Sequence, residues 1–285
     1  MMLTFSLRWS IMMPSRLWRL GLATACLLMG ACTTKPAAPD AVGKDVYWRA
    51  ASQDVPAVWS HRPFPGKRFT DYRAVPMDGR LVIQTRSENA ASMLRKSLHV
   101  APTHLGTMSF SWKVPALIQG ADLAQRDADD SPVRIVLAFD GERSKFSARN
   151  AMLSELAHAM TGEPMPYATL MYVWGNAQPV ESVVLNPRTD RIRKLVVESG
   201  PGRLGRWLTY ERDVRADFEK AFGEPPGALV GVGIMTDTDN TQQKTHAWYG
   251  PITLAAVSAS PAKPSVLLTP SVASQPSRLV IANEP

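Results

Sequence analysis

Apolar and polar residues alternate in short runs along residues 45–257. Successive side chains of a β-strand point to opposite faces, so a period of two predicts strands with one buried face. The runs are RLVIQT, MSFSWKV, VRIVLAF, ATLMYVW, LVVES, LVGVGIM and AWYGPITL. The alternation puts Met108, Phe110, Trp112 and Val114 on one face of their strand and Val133, Ile135, Leu137 and Phe139 on one face of theirs, and it sets Leu170, Tyr172 and Trp174 against Met171 and Val173.

Two segments have helical periodicity instead. SARNAMLSELAHAM places Met152, Leu156 and Met160 at i, i+4 and i+8, which is one face of an α-helix. DVRADFEKAFG begins at Asp213, a good N-cap, and ends at Gly223, a common C-terminal stop. Many strands, two short helices and no glycine-rich phosphate loop predict an antiparallel β-sandwich decorated by two helices.

The two ends of the chain differ in composition from its middle. Residues 1–31 have the pattern of an export signal, with Arg16 and Arg19 before an apolar core too short to span a bilayer. LMGAC resembles the recognition sequence of bacterial lipoproteins, which makes Cys32 the predicted lipidation site, although an ordinary secretory signal is the alternative. Residues 32–44 are predicted to be a flexible tether, 45–257 the folded domain, and 258–285 a disordered tail rich in Pro, Ser and Ala.

Anchoring and cysteine content restrict the function classes. Thr33 follows the cysteine where Asp would favour inner-membrane retention, so the predicted address is the periplasmic face of the outer membrane. Apart from Cys26 in the signal and Cys32, the chain has no cysteine. The mature domain therefore has no disulfide, no thiolate metal site and no cysteine nucleophile.

Charge argues against a nucleic-acid partner. The formal net charge is +7, but the first 31 residues carry three arginines and no acidic residue. The remainder has 29 basic and 25 acidic residues, which are interspersed as in RTDRIRKLVVE. Nucleic-acid binding usually needs a continuous basic patch, so none is predicted.

The segment RWLTYERDVRADFEKAFGEPPGALVGVGIMTDTDNTQQKTHAWYGPITL resembles the C-terminal signature of a bacterial family, domain of unknown function 3047. RLVIQTRSENAASMLRKSLHV, MSFSWKV, ADLAQRDADDSPVRIVLAFDG and YATLMYVWGN are similar to its earlier segments, so the resemblance covers residues 57–255. It implies an exported β-sandwich of jelly-roll type, similar in outline to carbohydrate-binding modules, and it implies no activity. Pro251 stands where the family usually has Asp.

GIMTDTDNT is the first candidate site. Asp237, Asp239 and Asn240 follow a strand in which glycines alternate with apolar residues, and such oxygen-bearing side chains suit Ca²⁺. An EF-hand is excluded, because Gln242 and Trp248 occupy the positions that require Gly and Glu. The alternatives are a weak calcium site at Asp237 and Asp239, as in some sandwich domains, and a hairpin turn with capping side chains.

DADDSPVR is the second candidate, with Asp129 and Asp130 shortly before Arg134. These carboxylates are candidates to complete a metal site, to form ion pairs with Arg134 or Arg212, or to act as the acid and base of a glycosidase. No histidine pair has zinc-ligand spacing, and no G-x-S-x-G elbow is present.

Aromatic side chains suggest a sugar-binding rim. Trp112 shares a strand face with apolar neighbours and is assigned to the core, whereas Trp174 ends a strand and is the predicted rim residue. The ligand-binding candidates are Asp129, Asp130, Arg134, Trp174, Arg212, Asp237, Asp239 and Asn240.

Three function classes follow. The leading prediction is a non-catalytic module that binds a glycan or another envelope component. The alternatives are a glycoside hydrolase or lyase that uses Asp130 with Asp237 or Asp239, and a scaffold lipoprotein that binds a protein partner.

Overall fold

The computed structural model describes the backbone of residues 46–50 and residues 59–255 with their side chains. The predicted signal peptide (1–31), the lipidation site Cys32, the tether (32–44) and the tail (258–285) lie outside the described residues.

The described residues form fourteen β-strands in two seven-stranded sheets. The strands are β1 (Val46–Ala50), β2 (Ser60–Pro63), β3 (Asp71–Met77), β4 (Arg80–Glu88), β5 (Ser92–Val100), β6 (Thr107–Lys113), β7 (Ser131–Phe139), β8 (Ala168–Gly175), β9 (Val183–Leu185), β10 (Ile192–Ser199), β11 (Trp207–Asp213), β12 (Leu229–Asp237), β13 (Lys244–Tyr249) and β14 (Ile252–Ala255).

Sheet I has the order β1-β14-β6-β13-β4-β3, and β11 pairs with β6 along its remaining edge. Sheet II has the order β2-β5-β12-β7-β8-β10-β9. All strand pairs within the two sheets are antiparallel except β8 with β10, which run parallel because β9 intervenes in sequence and pairs on the far side of β10. The predicted β-sandwich is confirmed, with this one parallel pair as a departure.

The alternating runs supply the core between the sheets, as predicted. The inward positions of β6, β7 and β8 are all buried, and they come from both sheets. Phe110 of sheet I stacks on Tyr172 of sheet II with ring centroids 5.4 Å apart and planes 13° apart. Such aromatic pairs add about 0.5–1.5 kcal/mol beyond the burial of their area.

The two predicted helices are present as α1 (Ala148–Thr161) and α2 (Val214–Phe222). In α2 the Asp213 carboxylate accepts a hydrogen bond from the Ala216 N–H at 3.0 Å, and Gly223 ends the helix at φ 69°. This is the predicted N-cap and stop, and α2 buries its apolar face beneath the sandwich core.

Unlike α2, α1 buries polar side chains and leaves its apolar face exposed. Its buried residues are Asn150 and Ser154, whereas the predicted apolar stripe of Met152, Leu156 and Met160 is 53–63% exposed. A helix of a globular domain normally turns such a stripe toward the core, so this one is available to contact something else. No helix among the described residues is long and apolar enough to cross a membrane.

Candidate functional site

The segment MTDTDNT carries the chain from one sheet to the other. β12 ends at Asp237 in sheet II, and β13 begins at Lys244 in sheet I. The predicted hairpin turn is wrong, because the strands of a hairpin pair with each other and these two strands lie in different sheets.

The alternation of Thr and Asp in this segment follows the two faces of sheet II. Thr236 and Thr238 point inward, where their hydroxyls each lie 2.9 Å from a hydroxyl of sheet I, at Thr85 and Ser87 respectively. The Tyr249 hydroxyl of sheet I also donates to the Met235 carbonyl at 2.6 Å. Because all these groups are shielded from water, their hydrogen bonds hold the sheets together at this end.

Asp237 points to the outer side of sheet II and pairs with Arg134. Arg134 donates from Nε to Oδ1 at 2.8 Å and from Nη2 to Oδ2 at 3.0 Å, and the Ser131 N–H donates to Oδ1 at 3.1 Å. Both charged residues are 3% exposed. A bidentate pair of this kind is among the stronger hydrogen-bonded contacts in proteins.

Asp129 extends the pair into a network. It accepts from Arg134 Nη2 at 3.2 Å and from Lys194 Nζ at 2.5 Å, and Lys194 also donates to the Leu123 carbonyl at 2.5 Å. Lys194 is fully buried. The sequence analysis missed it, because a lysine at the outward position of an alternating strand is usually solvated.

Asp130 joins the two acidic segments. Its carboxylate accepts from Asn240 Nδ2 at 2.9 Å and from the N–H and hydroxyl of Thr241 at 2.7 and 2.6 Å. DADDSPVR and the MTDTDNT segment therefore meet in space. We call Asp129, Asp130, Arg134, Lys194 and Asp237 the Asp237 cluster.

Burial sets the protonation of this cluster. It raises the pKa of Asp237 to about 7, with Asp130 and Asp129 acting in the same direction and Arg134 opposing them. Burial also lowers the pKa of Lys194 to about 8, and the positive charge of Arg134 acts in the same direction. Burial opposes the charge of Arg134, but the carboxylates of Asp237 and Asp129 raise its pKa, so Arg134 stays protonated.

The spacing of three carboxylates here would suit a calcium ion, but the partners of these carboxylates do not. Oxygens of Asp130, Asp237 and Asp239 lie within 4.8 Å of one another, so the set includes both predicted ligands. Each carboxylate already accepts from a donor: Asp130 from Thr241, Asp237 from Arg134, and Asp239 from Lys67 at 2.6 Å. Protein cations and N–H groups therefore compete with Ca²⁺ for these three carboxylates.

The separation of these carboxylates would suit a glycosidase, but their surroundings do not. Retaining glycosidases hold two carboxyl groups about 5–5.5 Å apart, which the distances within this group do not exclude. Asp130 and Asp237 are nevertheless 2% and 3% exposed, and both are saturated with protein donors. Because protein donors already bind the oxygens of Asp130 and Asp237, the cluster acts as a clamp between two loops and the sheet.

Five predicted ligand residues border one cavity on the outer side of sheet II. This cavity has a volume of about 310 Å³, and the five are Asp129, Arg134, Asp237, Asp239 and Asn240.

Arg212 and Trp174, which are also ligand candidates, do not line this cavity. Arg212, on β11 of sheet I, donates to Asp217 at 2.7 Å and to Glu181 at 2.6 Å. Trp174 is 1% exposed and donates from Nε1 to the Gly200 carbonyl at 3.1 Å. The alternation of β8 keeps its ring on the core face, so it cannot form a rim.

An accessible tryptophan is found instead on the outer face of sheet I. Trp248 is half-buried in a groove of about 720 Å³, which we call the Trp248 groove. Its lining includes Phe69, Asp71, Gln84, Arg86, Glu88 and His246. Sequence reasoning left Trp248 unassigned, although its alternation with Ala247 and Tyr249, both buried, is the signal that places it outward.

Trp248 lies in a row of side chains that crosses neighbouring strands. Its Cα partners are Gln84 on β4 and Lys113 on β6, and Lys113 is in turn paired with Trp207 on β11. At a strand spacing of about 4.8 Å, the two tryptophans stand about 10 Å apart. Trp207 is held in place by Asp78, which accepts from its Nε1 at 2.7 Å.

The polar groups of the groove present both donors and acceptors. Lys244 pairs with Glu88 at 2.7 Å, and Arg73 pairs with Asp71 at the same distance. Burial and, to a smaller extent, the Arg86 charge lower the pKa of His246, so its imidazole is neutral at pH 7. A neutral imidazole offers one donor and one acceptor.

Comparison with known proteins identifies the family. The sequence matches the family described as "Protein of unknown function (DUF3047)" over residues 57–253, and the chain belongs to it. No curated protein matches the chain.

Solved structures resemble the chain in outline. A family 11 carbohydrate-binding module of a cellulosomal cellulase from Clostridium thermocellum is 10% identical, with a TM-score of 0.36, and the match covers 70% of this chain and 88% of that one. The xyloglucanase domain of NopAA from Sinorhizobium fredii is 10% identical with a TM-score of 0.38, covering 70% and 92%. The K3 adhesin domain of Lys-gingipain from Porphyromonas gingivalis is 12% identical with a TM-score of 0.34, covering 74% and 99%. Likenesses at this level carry no argument about function.

Proposed function

We propose that this DUF3047 protein is a non-catalytic binding module for a glycan of the cell envelope, and that the Trp248 groove is its binding surface. The observation that carries the proposal is an accessible indole in a groove whose other side chains supply hydrogen-bond donors and acceptors. The C–H face of a pyranose stacks on an aromatic ring, while its hydroxyls need both kinds of partner.

The groove lining carries three bases, Arg68, Arg86 and Lys244, and two acids, Asp71 and Glu88, so its net charge is only +1. Its exposed acids and bases are interspersed, and Glu88 and Asp71 each form an ion pair. An anionic polymer such as a nucleic acid would need a surplus of positive charge. Trp207 does not line this groove, and the Arg80 guanidinium already lies 3.8 Å from the centroid of its ring, so Trp248 is the stacking surface of the proposal.

Titration of the purified domain with soluble peptidoglycan fragments and neutral oligosaccharides tests this proposal. We expect one glycan class to bind, and Trp248→Ala to weaken it at least tenfold, since a stacked aromatic contributes about 1.4 kcal/mol. Leu185→Ala, which shortens an exposed apolar side chain on sheet II, is the control and should bind like wild type. Absence of binding to every glycan, or equal affinity of Trp248→Ala and wild type, would refute the proposal.

We further propose that the domain works at the periplasmic face of the outer membrane, held by lipid on Cys32. The support is the LMGAC segment, the short apolar core before it and the residue that follows the cysteine. Cell fractionation with labelled palmitate should find wild type labelled and in the outer membrane, and Cys32→Ser unlabelled and released. An unlabelled wild-type protein would disprove the anchor.

A further inference from the structure

The outer face of sheet II carries a groove unlike the one on sheet I. Its cavity of about 210 Å³ is walled by Met93, Met165, Met171 and Met235, and we call it the methionine groove. It shares Phe64, Met171, Ile192 and Met235 with the 310 Å³ cavity beside the Asp237 cluster. The two cavities therefore adjoin each other, and together we call them the channel.

The glycines of LVGVGIM create the floor of this channel. A side chain at Gly233 would collide with the Met93 sulfur, and one at Gly231 would touch the Arg95 stem, whose Cδ lies 3.7 Å from the Cβ position. The bare strand face predicts close approach of another group, and that group is a pair of flexible side chains. Because the Met93 side chain is unbranched and has three rotatable bonds, it can change rotamer and widen the channel without a movement of the backbone.

The lining selects an aliphatic ligand. Val136 and Ala138 form the floor between the methionines, and most of the wall is hydrocarbon or thioether. Such a wall gives a sugar few hydrogen bonds, whereas methionine adapts to the irregular outline of an alkyl chain. One water occupies roughly 30 Å³ in the liquid. A volume of about 210 Å³ therefore holds about seven groups of that size, such as the methylene groups of an alkyl chain.

One end of the channel is polar and carries the exposed cation of Arg188. Arg188 lies at the rim of the 310 Å³ cavity, is exposed, and forms no ion pair with any residue that the structure describes. The neighbouring Lys67 is already paired with Asp239 at 2.6 Å. The guanidinium of Arg188 is thus free to bind an anionic head group.

A third cavity adjoins the methionine groove and includes exposed apolar side chains. This cavity of about 670 Å³ shares Phe64, Met93 and Arg95 with the methionine groove and reaches Met160 on α1. Phe69 and Met160 on its wall are 62% and 57% exposed. The apolar stripe of α1 therefore continues into the channel, as an access route for an apolar ligand requires.

We propose that the methionine groove is a second ligand site, which binds a fatty acid with its alkyl chain between the methionines and its carboxylate at Arg188. The proposal is independent of the Trp248 groove, because the two grooves share no lining residue.

Titration of the full domain with decanoate tests it, with methyl NMR of labelled methionines as the site-specific signal. We expect saturable binding that shifts the methyl signals of Met93, Met165, Met171 and Met235. Met171→Gln, which keeps an unbranched side chain and adds polarity, should weaken decanoate at least tenfold. Met152→Gln makes the same change on the exposed stripe of α1 and should leave decanoate affinity unchanged.

The head group is tested separately. Arg188→Gln should weaken decanoate about threefold to tenfold and leave 1-decanol, which has no charge, unaffected. Equal loss for both ligands, or none for either, would overturn the assignment of the carboxylate to Arg188. A circular dichroism spectrum like that of the wild-type protein confirms that each variant is folded.

Three outcomes would overturn the proposal as a whole. They are the absence of decanoate binding, methyl shifts confined to Met152 and Met160, and binding of phosphatidylglycerol vesicles that Met152→Gln abolishes and Met171→Gln does not. The last two would assign the apolar ligand to the surface of α1 instead of the groove.

Discussion

The Asp237 cluster and the Trp248 groove use similar residues in opposite states. In the cluster, Arg134, Asp237 and Lys194 are buried and each charge faces a partner inside the protein. In the groove, Arg86 and Glu88 are exposed beside an indole that solvent reaches. Saturated, buried charges fix the fold, whereas open polar groups beside an aromatic ring can exchange water for a ligand.

This difference also changes the meaning of the acidic signature. MTDTDNT is the segment in which a metal or catalytic role is easiest to imagine from the sequence. In the structure its threonines bind sheet I and its aspartates bind Arg134 and Lys67. The signature is therefore explained by the crossing between sheets.

The largest expected effect comes from breaking the cluster at its centre. Arg134→Ala removes the cation shared by Asp237 and Asp129 and should lower the free energy of unfolding by about 3–5 kcal/mol, because the buried Asp237 carboxylate is left without a cation while Asp129 keeps Lys194. Chemical denaturation measures this change. Lys145→Ala, which removes an exposed ion pair, is the control and should be close to wild type. A wild-type-like Arg134→Ala would show that the cluster is not a clamp.

The next effect is a pH dependence of stability. With a pKa of about 7 in the fold and 3.8 as its ordinary value, Asp237 holds a proton in the folded state that the unfolded chain releases between these pH values. Its stabilising contribution is therefore complete below about pH 4 and is lost as pH rises to 7, by an amount on the order of a few kcal/mol.

Denaturation curves across this range should show that fall for wild type and a flatter profile for Asp237→Asn. Glu211→Gln, an exposed acid on sheet I, serves as the control and should keep the wild-type profile. Parallel profiles for wild type and Asp237→Asn would mean that Arg134 keeps Asp237 ionised throughout.

Loss of the loop anchor should cost less. Asp130→Ala leaves the Asn240 and Thr241 donors without their acceptor, which should destabilise the fold by about 1–3 kcal/mol. Hydrogen exchange at the Thr241 amide should accelerate more than at strand amides of β6. Asp127 is exposed, so the control variant Asp127→Ala should change neither the stability nor the exchange at Thr241. Unchanged exchange at the Thr241 amide in Asp130→Ala would contradict the role of Asp130 as an anchor.

The smallest expected effect is that of calcium. Because protein donors already occupy the carboxylates of Asp130, Asp237 and Asp239, millimolar Ca²⁺ and EDTA should give the same Tm. A Tm that rises with Ca²⁺ concentration, and no longer does so in Asp239→Asn, would restore the metal site.

The sequence predicts the strands well because each face is encoded by neighbouring residues two positions apart. It fails where the decisive partner is remote. The hairpin prediction is wrong because nothing near Asp237 specifies that β13 joins the other sheet. Lys194 escapes notice because its partner Asp129 is 65 positions away.

Trp174 shows a different failure. Its alternation with Leu170 and Tyr172 predicts the core face, and the structure agrees. The rim assignment placed more weight on its position at the end of the strand than on that alternation. The same rule, applied to AWYG, places Trp248 outward and Tyr249 inward, so the accessible tryptophan was predictable from the sequence.

Glycan affinity measured in parallel for Trp248→Ala and Asp237→Asn tests the central contrast most directly. The predicted result is at least a tenfold loss for Trp248→Ala at wild-type stability, with wild-type affinity for folded Asp237→Asn at altered stability. Loss of binding in Asp237→Asn with no change in Trp248→Ala would contradict the account and return the binding site to the acidic segments.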